Sequence, residues 1–348
     1  MKYNVGYSLS DDGSYDFLEI VKRYKEHINE VYFPWLDIPS GRASLTNSDG
    51  FIDWSVQEKL ISDLKQIKLL GIRLDLLYNA NCFGDDAMSE QMQNTLISVI
   101  DYLNYVGCPI DVITTTSPAV AHIVKTHRSH IEVRASVNMR IGTVKGMQYL
   151  AHLFDSFYIQ RDYNRDLERI KELKAWADKN GKKLYMLANS GCMAFCSCQT
   201  FHDNAVAHSN GIASKKNIEG FHPHSCWHYL RDAENWVSLL QNTWVRPEDI
   251  HNYEGLFDSV KLATRMHQLP ALVIDSYVRE KYSGNLLDLF EPGFGPAIAP
   301  YVFNNSAFPE DFFEKTSKCD KKCHTCSYCR MVLDKILIKD WMDDEDEE

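Results

Sequence analysis

The chain has 348 residues, 45% of them apolar and 24% charged, which is typical of a soluble globular enzyme with one large domain or two smaller ones. Its formal net charge of −11 argues against nucleic acid as a partner, because a broad nucleic-acid-binding face needs an excess of Lys and Arg. No apolar run has membrane-spanning length and the N-terminus has no signal-peptide pattern, so we expect a cytoplasmic protein that does not bind a membrane.

Short apolar runs alternate with longer amphipathic stretches along most of the chain. The amphipathic stretches include residues 15–27, 55–70 and 166–180, where apolar residues recur at helical spacing. Eight runs have the composition of strands, and they begin at Tyr3, Glu30, Arg73, Asp111, Glu132, Ser156, Lys183 and Asp258. This order predicts an α/β fold, a (βα)8 TIM-like barrel, with a Cys-rich C-terminal extension. An open doubly wound sheet is the alternative, but no Gly-rich phosphate loop follows the first strand.

The pattern divides the chain into two predicted domains. Residues 1–268 form the barrel, with a Cys/His-rich insertion at about 190–256, and residues 269–348 form an extension with a four-Cys motif and an acidic tail. The insertion follows the seventh strand, and the ends of barrel strands are where catalytic residues lie. The polar stretch 37–50 after the second strand is a candidate substrate loop or a simple surface turn.

Eight of the ten cysteines fall in two groups. In a reducing compartment this clustering indicates metal ligation rather than a disulfide framework. The first group comprises Cys192, Cys196, Cys198 and Cys226. Five histidines between residues 202 and 228 of the same insertion leave mixed Cys/His ligation open: His202, His208, His222, His224 and His228. Structural zinc, or cysteines that bind no metal, is the alternative for this group.

The second group reads C-x₃-C-x₂-C-x₂-C and comprises Cys319, Cys323, Cys326 and Cys329. Four thiolates this close together can surround one metal centre, either a 4Fe–4S cluster or a structural zinc. Zinc sites usually pair two separated C-x₂-C units, so the spacing favours the cluster. The first three cysteines also match the spacing of radical S-adenosylmethionine enzymes, but that motif follows the first barrel strand rather than the last.

Polar residues lie at or near the predicted strand ends: Asn79, Arg134, Arg161, Asn189, Lys261 and Arg265. Of these, Arg134, Arg161 and Lys261 are predicted to bind a carboxylate or a phosphate at the mouth of the barrel. The alternative is that these charges form structural ion pairs inside the barrel. His251 and Asp203 are the candidates for a proton donor.

Several segments between about residues 30 and 265 match one known family in chain order: EVYFPW, LLYNANCFG, VRASVNM, YIQRDYNRDLERI, ANSGC, SCWHY and PEDIHNYEGLFDSVKLATR. They resemble the collagenase-like peptidase family (peptidase family thirty-two). This family includes tRNA- and rRNA-hydroxylation proteins and oxygen-independent ubiquinone-hydroxylation proteins. The resemblance implies a barrel-like fold that carries a 4Fe–4S cluster on four cysteines.

The sequence departs from the family pattern at several positions. His251 stands where the family often has its last cysteine, and the KLATR segment keeps Lys261 and Arg265 but lacks the acidic residue. Cys192 and Cys226 carry over best. The remaining ligands are Cys196, Cys198 or His251, of which we favour the two cysteines. The second cysteine group is additional to the family pattern.

These observations predict an iron–sulfur oxidoreductase with one or two 4Fe–4S clusters, or with zinc at the second cysteine group. The expected reaction is oxygen-independent hydroxylation, or a related cluster-dependent modification, of a small molecule or peptide. The predicted catalytic residues are Arg134, Arg161, Lys261, Arg265 and His251. A peptidase, or a non-catalytic iron–sulfur electron-transfer subunit, is the alternative. If the protein is the oxidoreductase or the electron-transfer subunit, we expect an electron-donor protein or a partner subunit to bind it.

Overall fold

A computed structural model describes residues 1–9, 13–35, 38, 40–42 and 54–339 of the chain. Most of the candidate substrate loop 37–50, and the acidic end of the tail, therefore lie outside the described residues. Eight parallel strands close into a barrel in chain order, and the eighth strand pairs with the first. The predicted (βα)8 TIM-like barrel is confirmed.

The barrel strands begin within two residues of their predicted starts. They are β1 (Tyr3–Gly6), β2 (Ile28–Pro34), β3 (Arg73–Tyr78), β4 (Val112–Thr115), β5 (Glu132–Ala135), β6 (Ser156–Tyr158), β7 (Lys183–Leu187) and β8 (Val260–Leu262). Two further strands, β9 (Tyr301–Phe303) and β10 (Leu337–Lys339), pair antiparallel in the C-terminal extension.

Helices follow the first six barrel strands: α1 (Phe17–Tyr24), α2 (Trp54–Leu69), α3 (Glu90–Tyr105), α4 (Pro118–His127), α5 (Val144–Leu150) and α6 (Leu167–Lys179). Helix α6 shows why these segments are helical. The side chain of Asp166 accepts a hydrogen bond from the backbone N–H of Arg169, which caps the first turn. Buried Ile170 and Leu173 face the barrel, and Gly181, with φ of 63°, ends the helix in the left-handed conformation.

The segment between β7 and β8 contains three short helices, α7 (Gln199–Ala207), α8 (Ser209–Ala213) and α9 (Ser225–Tyr229). The chain beyond β8 contains α10 (Pro270–Val278), α11 (Gly295–Ile298), α12 (Phe312–Ser317) and α13 (Tyr328–Ile336). Helix α10 packs in the barrel core through Val273, Ile274 and Tyr277. No helix in the described ranges is long and apolar enough to span a membrane.

A second apolar cluster joins the insertion to the C-terminal extension. It contains Leu240 and Trp244 from the insertion and Phe290, Phe312 and Leu333 from the extension, all of them buried. The Trp244 ring stacks on Phe290 at 5.0 Å and on Phe312 at 6.0 Å between ring centroids. We call this set the Trp244 cluster.

Candidate active site at the mouth of the barrel

Two contiguous cavities lie at the C-terminal ends of the barrel strands. The smaller, of about 70 Å³, lies directly over the barrel, between Tyr32 of β2 and Lys261 of β8. The larger, of about 330 Å³, lies under helix α7 and the segment after Glu291. Arg42, Arg161 and Glu291 line both cavities, so the two cavities adjoin at these residues.

The smaller cavity is rich in positive charge. Three of the polar residues that the sequence analysis placed near strand ends line it, namely Arg161, Lys261 and Arg265, and each is less than a tenth exposed. Arg42, which the sequence analysis did not single out, also lines it and pairs with Glu291, with 3.3 Å between Nε and Oε2. Four cationic groups against one carboxylate leave an excess of positive charge, which suits a carboxylate or phosphate ligand.

The structure does not bring Arg134 to this site. Its side chain is fully buried inside the barrel, below both cavities. It makes a bidentate ion pair with Glu30, at 2.5 and 3.0 Å, and a further pair with Glu132 at 3.0 Å. Because Arg134 sits within β5 and faces the barrel axis, it stabilises the interior, which is the alternative that the sequence left open.

His251 also lies away from the cavities. It belongs to the 3₁₀ helix Pro247–Tyr253, which precedes β8. Nearby Glu254 is 3.7 Å from the N-terminal amine, at the N-terminal end of the barrel. The His251 side chain is exposed there, 3.9 Å from Glu280. The prediction that His251 acts as a catalyst or a cluster ligand is therefore not supported, because the strand ends of the mouth lie at the opposite end of the barrel.

The first cysteine group surrounds the larger cavity. Cys192, Cys196 and Cys226 line it. Cys198 lies behind them, where its sulfur accepts a hydrogen bond from Ser225 Oγ at 3.1 Å, next to Cys226 in the chain. All ten cysteines are free thiols. Cysteine thiols around an open cavity are the donor type of an iron–sulfur or zinc centre, so their chemistry suits the implied cluster, whereas their spacing in this structure is too wide for a single metal ion.

Two histidines share the larger cavity with these thiols. His202 and His224 line it, and their rings contact each other with centroids 4.7 Å apart. Burial, and then the neighbouring His224, lower the pKa of His202. Asp203 also lines the cavity and accepts a hydrogen bond from Arg140 at 3.4 Å. The sequence analysis named both histidines only among those that leave mixed Cys/His ligation open.

The second cysteine group lies outside both cavities. Cys319, Cys323 and Cys326 are exposed, whereas Cys329 is half-buried and packs against the Trp244 cluster. Over the described part of the chain, no three His, Cys, Asp or Glu side chains are close enough to hold a single metal ion.

The loop that carries Cys192 is anchored by backbone contacts. Gly191 donates its N–H to the carbonyl of Glu291 at 3.1 Å, and Asn242 Nδ2 donates to the carbonyl of Gly191 at 2.5 Å. Thr243 Oγ1 donates to the carbonyl of Ser190 at 3.0 Å. A Cβ at Gly191 would lie 2.0 Å from the carbonyl oxygen of Pro292. Only glycine allows this close approach.

Gly191→Ala is therefore expected to push the Cys192 loop away from the 291–292 backbone and to lower the free energy of unfolding by about 1–3 kcal/mol. Gly211→Ala is the matched control, because Gly211 lies in α8 with nothing within 4 Å of its would-be Cβ. The control should be neutral or stabilising by about 0.5–1 kcal/mol. Urea unfolding of both variants measures the difference, and equal stabilities would contradict the contact.

No protein-family model matches the sequence. An uncharacterized protease of Methanocaldococcus jannaschii is 22% identical over 347 residues, which are 95% of this chain and 98% of that protein. Among solved structures, the U32 peptidase Mk0906 is similar with a TM-score of 0.52 at 14% identity, covering 75% of this chain and 92% of that one. The structural likeness shows a shared fold.

Proposed function

We propose that this protein is an iron–sulfur enzyme, starting from its resemblance to the collagenase-like (U32) peptidase family, which the names of the two similar proteins support. It modifies an anionic small molecule or peptide at the mouth of the barrel, by oxygen-independent hydroxylation or a related reaction. One observation carries the proposal: the cysteine-lined cavity and the cationic cavity share Arg42, Arg161 and Glu291 as lining residues.

The chain's own side chains bind and orient the substrate. Arg161 and Arg265 hold the anionic end over the barrel, where their burial strengthens the interaction with a carboxylate or phosphate. The rest of the substrate extends into the larger cavity, beside Cys192 and Cys226. The carboxylate of Glu291 keeps Arg42 in place between the two cavities.

Cys192, Cys196, Cys198 and Cys226 would hold the cluster at the mouth. A 4Fe–4S cluster bound there supplies single electrons, or a Lewis-acidic iron if one coordination position is open. The second cysteine group would hold a second cluster, with zinc as the alternative metal. A cluster there would supply single electrons, and the exposed cysteines leave that position accessible to an electron-donor protein.

Metal analysis of anaerobically purified protein tests the proposal. We expect about eight irons and eight sulfides per chain from two 4Fe–4S clusters. The double variant Cys192→Ala/Cys226→Ala should lose about four of each. Cys82→Ala is the matched control, because Cys82 belongs to neither group, and it should lose none. Unchanged iron in the double variant would contradict a cluster at the mouth, and zinc without iron would contradict the redox enzyme.

A peptidase is the second candidate function, favoured by the names of both similar proteins and by one feature of the cavity. Cysteine thiols and the imidazoles of His202 and His224 line the same space, and a thiol next to an imidazole is the pairing of a cysteine nucleophile. This candidate predicts peptide hydrolysis by metal-free protein, abolished by alkylation of the cavity thiols. Hydrolysis that needs no iron would overturn the leading proposal.

A further inference from the structure

Beneath the smaller cavity, the barrel interior holds a lysine whose amine has no hydrogen bond or ion pair with any residue that the structure describes. Lys261 faces inward from β8, is 8% exposed, and lines the cavity. Its Nζ lies 3.7 Å from the centre of the Tyr32 ring and 5.4 Å from that of Tyr158. Among the described residues, none forms a hydrogen bond or an ion pair with this amine. It is therefore open toward the cavity rather than engaged in the interior network.

Asp75 faces the same interior from β3 and is fully buried. Its Oδ2 accepts a hydrogen bond from Thr114 at 2.7 Å and lies 3.5 Å from Arg134 Nη1. No described residue donates a hydrogen bond to its Oδ1, which is itself buried. A buried carboxylate with an unsatisfied oxygen is costly as an anion, so this position favours an acid that can take up a proton.

Burial and the surrounding charges also shift the pKa values of Asp75 and Lys261 toward neutral pH. Burial and the neighbouring Glu30 raise the pKa of Asp75 to about 7, against the opposing effects of Arg134 and Lys261. Burial, together with Arg265 and Arg134, lowers the pKa of Lys261 to about 8, against the opposing effects of Asp75 and Glu30. Both groups can therefore change charge near neutral pH.

We propose that Lys261 exchanges a proton with the substrate in the smaller cavity, and that Asp75 is the positioning residue whose charge sets the protonation of Lys261. This inference rests on the proposed function, because it takes the mouth to be the substrate site. As an ammonium, Lys261 gives one proton to a substrate atom and keeps its lone pair as a neutral amine. Solvent entering through the cavity then restores the proton, so no other bond is made or broken.

A purely anion-binding lysine explains these features less well. Arg42, Arg161 and Arg265 already supply permanent charge to the same cavity. A lysine whose pKa is lowered toward neutral pH adds little charge beyond these three arginines, but its acidity matches that of a general acid or base working near neutral pH. A structural lysine would have an ion-pair partner in contact, as Arg134 has in Glu30.

Carbamylation by cyanate tests the inference without a known substrate, since cyanate is small and reacts with neutral amines. The rate at Lys261 is followed by peptide mass spectrometry across pH. We expect a midpoint near 8, more than two pH units below the value of about 10.4 for a model lysine peptide. A midpoint at or above that of the peptide would overturn the proposal.

Variants of two carboxylates separate the role of Asp75 from a general charge effect. Asp75→Asn should lower the Lys261 midpoint further, because it removes an anion that favours the ammonium form. Asp85→Asn, a matched change at an exposed position after the same strand, should leave the midpoint unchanged. An unchanged or raised midpoint in Asp75→Asn, with native circular dichroism, would overturn the role of Asp75.

Two further measurements keep the outcomes distinct. If cyanate does not reach Lys261, NMR titration of protein labelled at lysine Cε, with the signal assigned by Lys261→Met, gives the same midpoint. Inorganic phosphate should slow the carbamylation if the cavity binds anions. A low midpoint without protection by phosphate would contradict the proposed anion site and leave the proton-exchange role standing. Protection by phosphate together with an unshifted midpoint would support the anion site and overturn the proton-exchange role.

Discussion

Arg134→Met is expected to lower the free energy of unfolding by about 3–5 kcal/mol, because it leaves buried carboxylates without their counter-charge. Arg134 is fully buried and contacts three acidic residues, namely Glu30, Glu132 and, at 3.5 Å, Asp75. Its guanidinium also lies over the Tyr185 ring at 4.0 Å. Methionine fills part of the volume but satisfies none of these acids.

Urea unfolding at pH 7 measures the effect of Arg134→Met. Arg128→Met is the matched control, because Arg128 pairs bidentately with Asp101 at the surface. The control should cost less than about 1 kcal/mol, as exposed pairs do. Similar losses in both variants would show that the interior acids do not depend on Arg134.

The loss of unfolding free energy caused by Arg134→Met should also depend on pH. Burial alone would raise the pKa of Glu132, but Arg134, Lys183 and Ser156 hold it well below its usual range. A depressed carboxylate stabilises the fold above its unfolded pKa of about 4.3, and that contribution disappears as pH falls through the folded value. In the variant the acids protonate more readily. The loss should therefore be largest above pH 5 and shrink toward pH 4.

The strand positions could be predicted because each barrel strand is a short apolar run bounded by helical stretches. The depth of a side chain within the barrel could not be predicted from the sequence. Arg134 and Arg161 look alike in the sequence, since both fall near the end of a predicted strand. Arg134 lies within β5 and faces the axis, whereas Arg161 begins the 3₁₀ helix that follows β6 and lines the cavities. Strand register decides this, and register depends on the neighbouring strands.

Contacts between residues far apart in the sequence could not be predicted either. Arg42 and Glu291 meet at the mouth although 249 positions separate them in the sequence. Neither residue belongs to a motif, and Arg42 lies in a polar stretch that looks like a surface turn. The cysteines could be singled out as candidate ligands because their grouping and spacing are visible in the sequence. The charged groups beside them become recognisable only when the barrel closes.

The Trp244 cluster connects the two cysteine groups physically. Cys226 and Cys329 both pack against it, from the insertion and from the extension respectively. Arg165 lies over the Trp244 ring at 4.4 Å and donates hydrogen bonds to three backbone carbonyls of the insertion. A buried apolar cluster that contacts a cysteine of each group would hold the two proposed metal centres at one separation, which the proposed electron relay requires.

Cys319→Ser/Cys329→Ser is accordingly expected to remove about four irons per chain and to leave about four at the mouth. Chemically reduced protein should still show the mouth cluster, because dithionite reaches it through the open cavity. Reduction by a protein donor should become at least about tenfold slower, a barrier increase of about 1.4 kcal/mol. Cys82→Ser is the control for loss of a thiol outside both groups. Undiminished iron in the double variant would contradict a cluster at the second cysteine group. Undiminished reduction by the protein donor would show that electrons enter at the mouth itself.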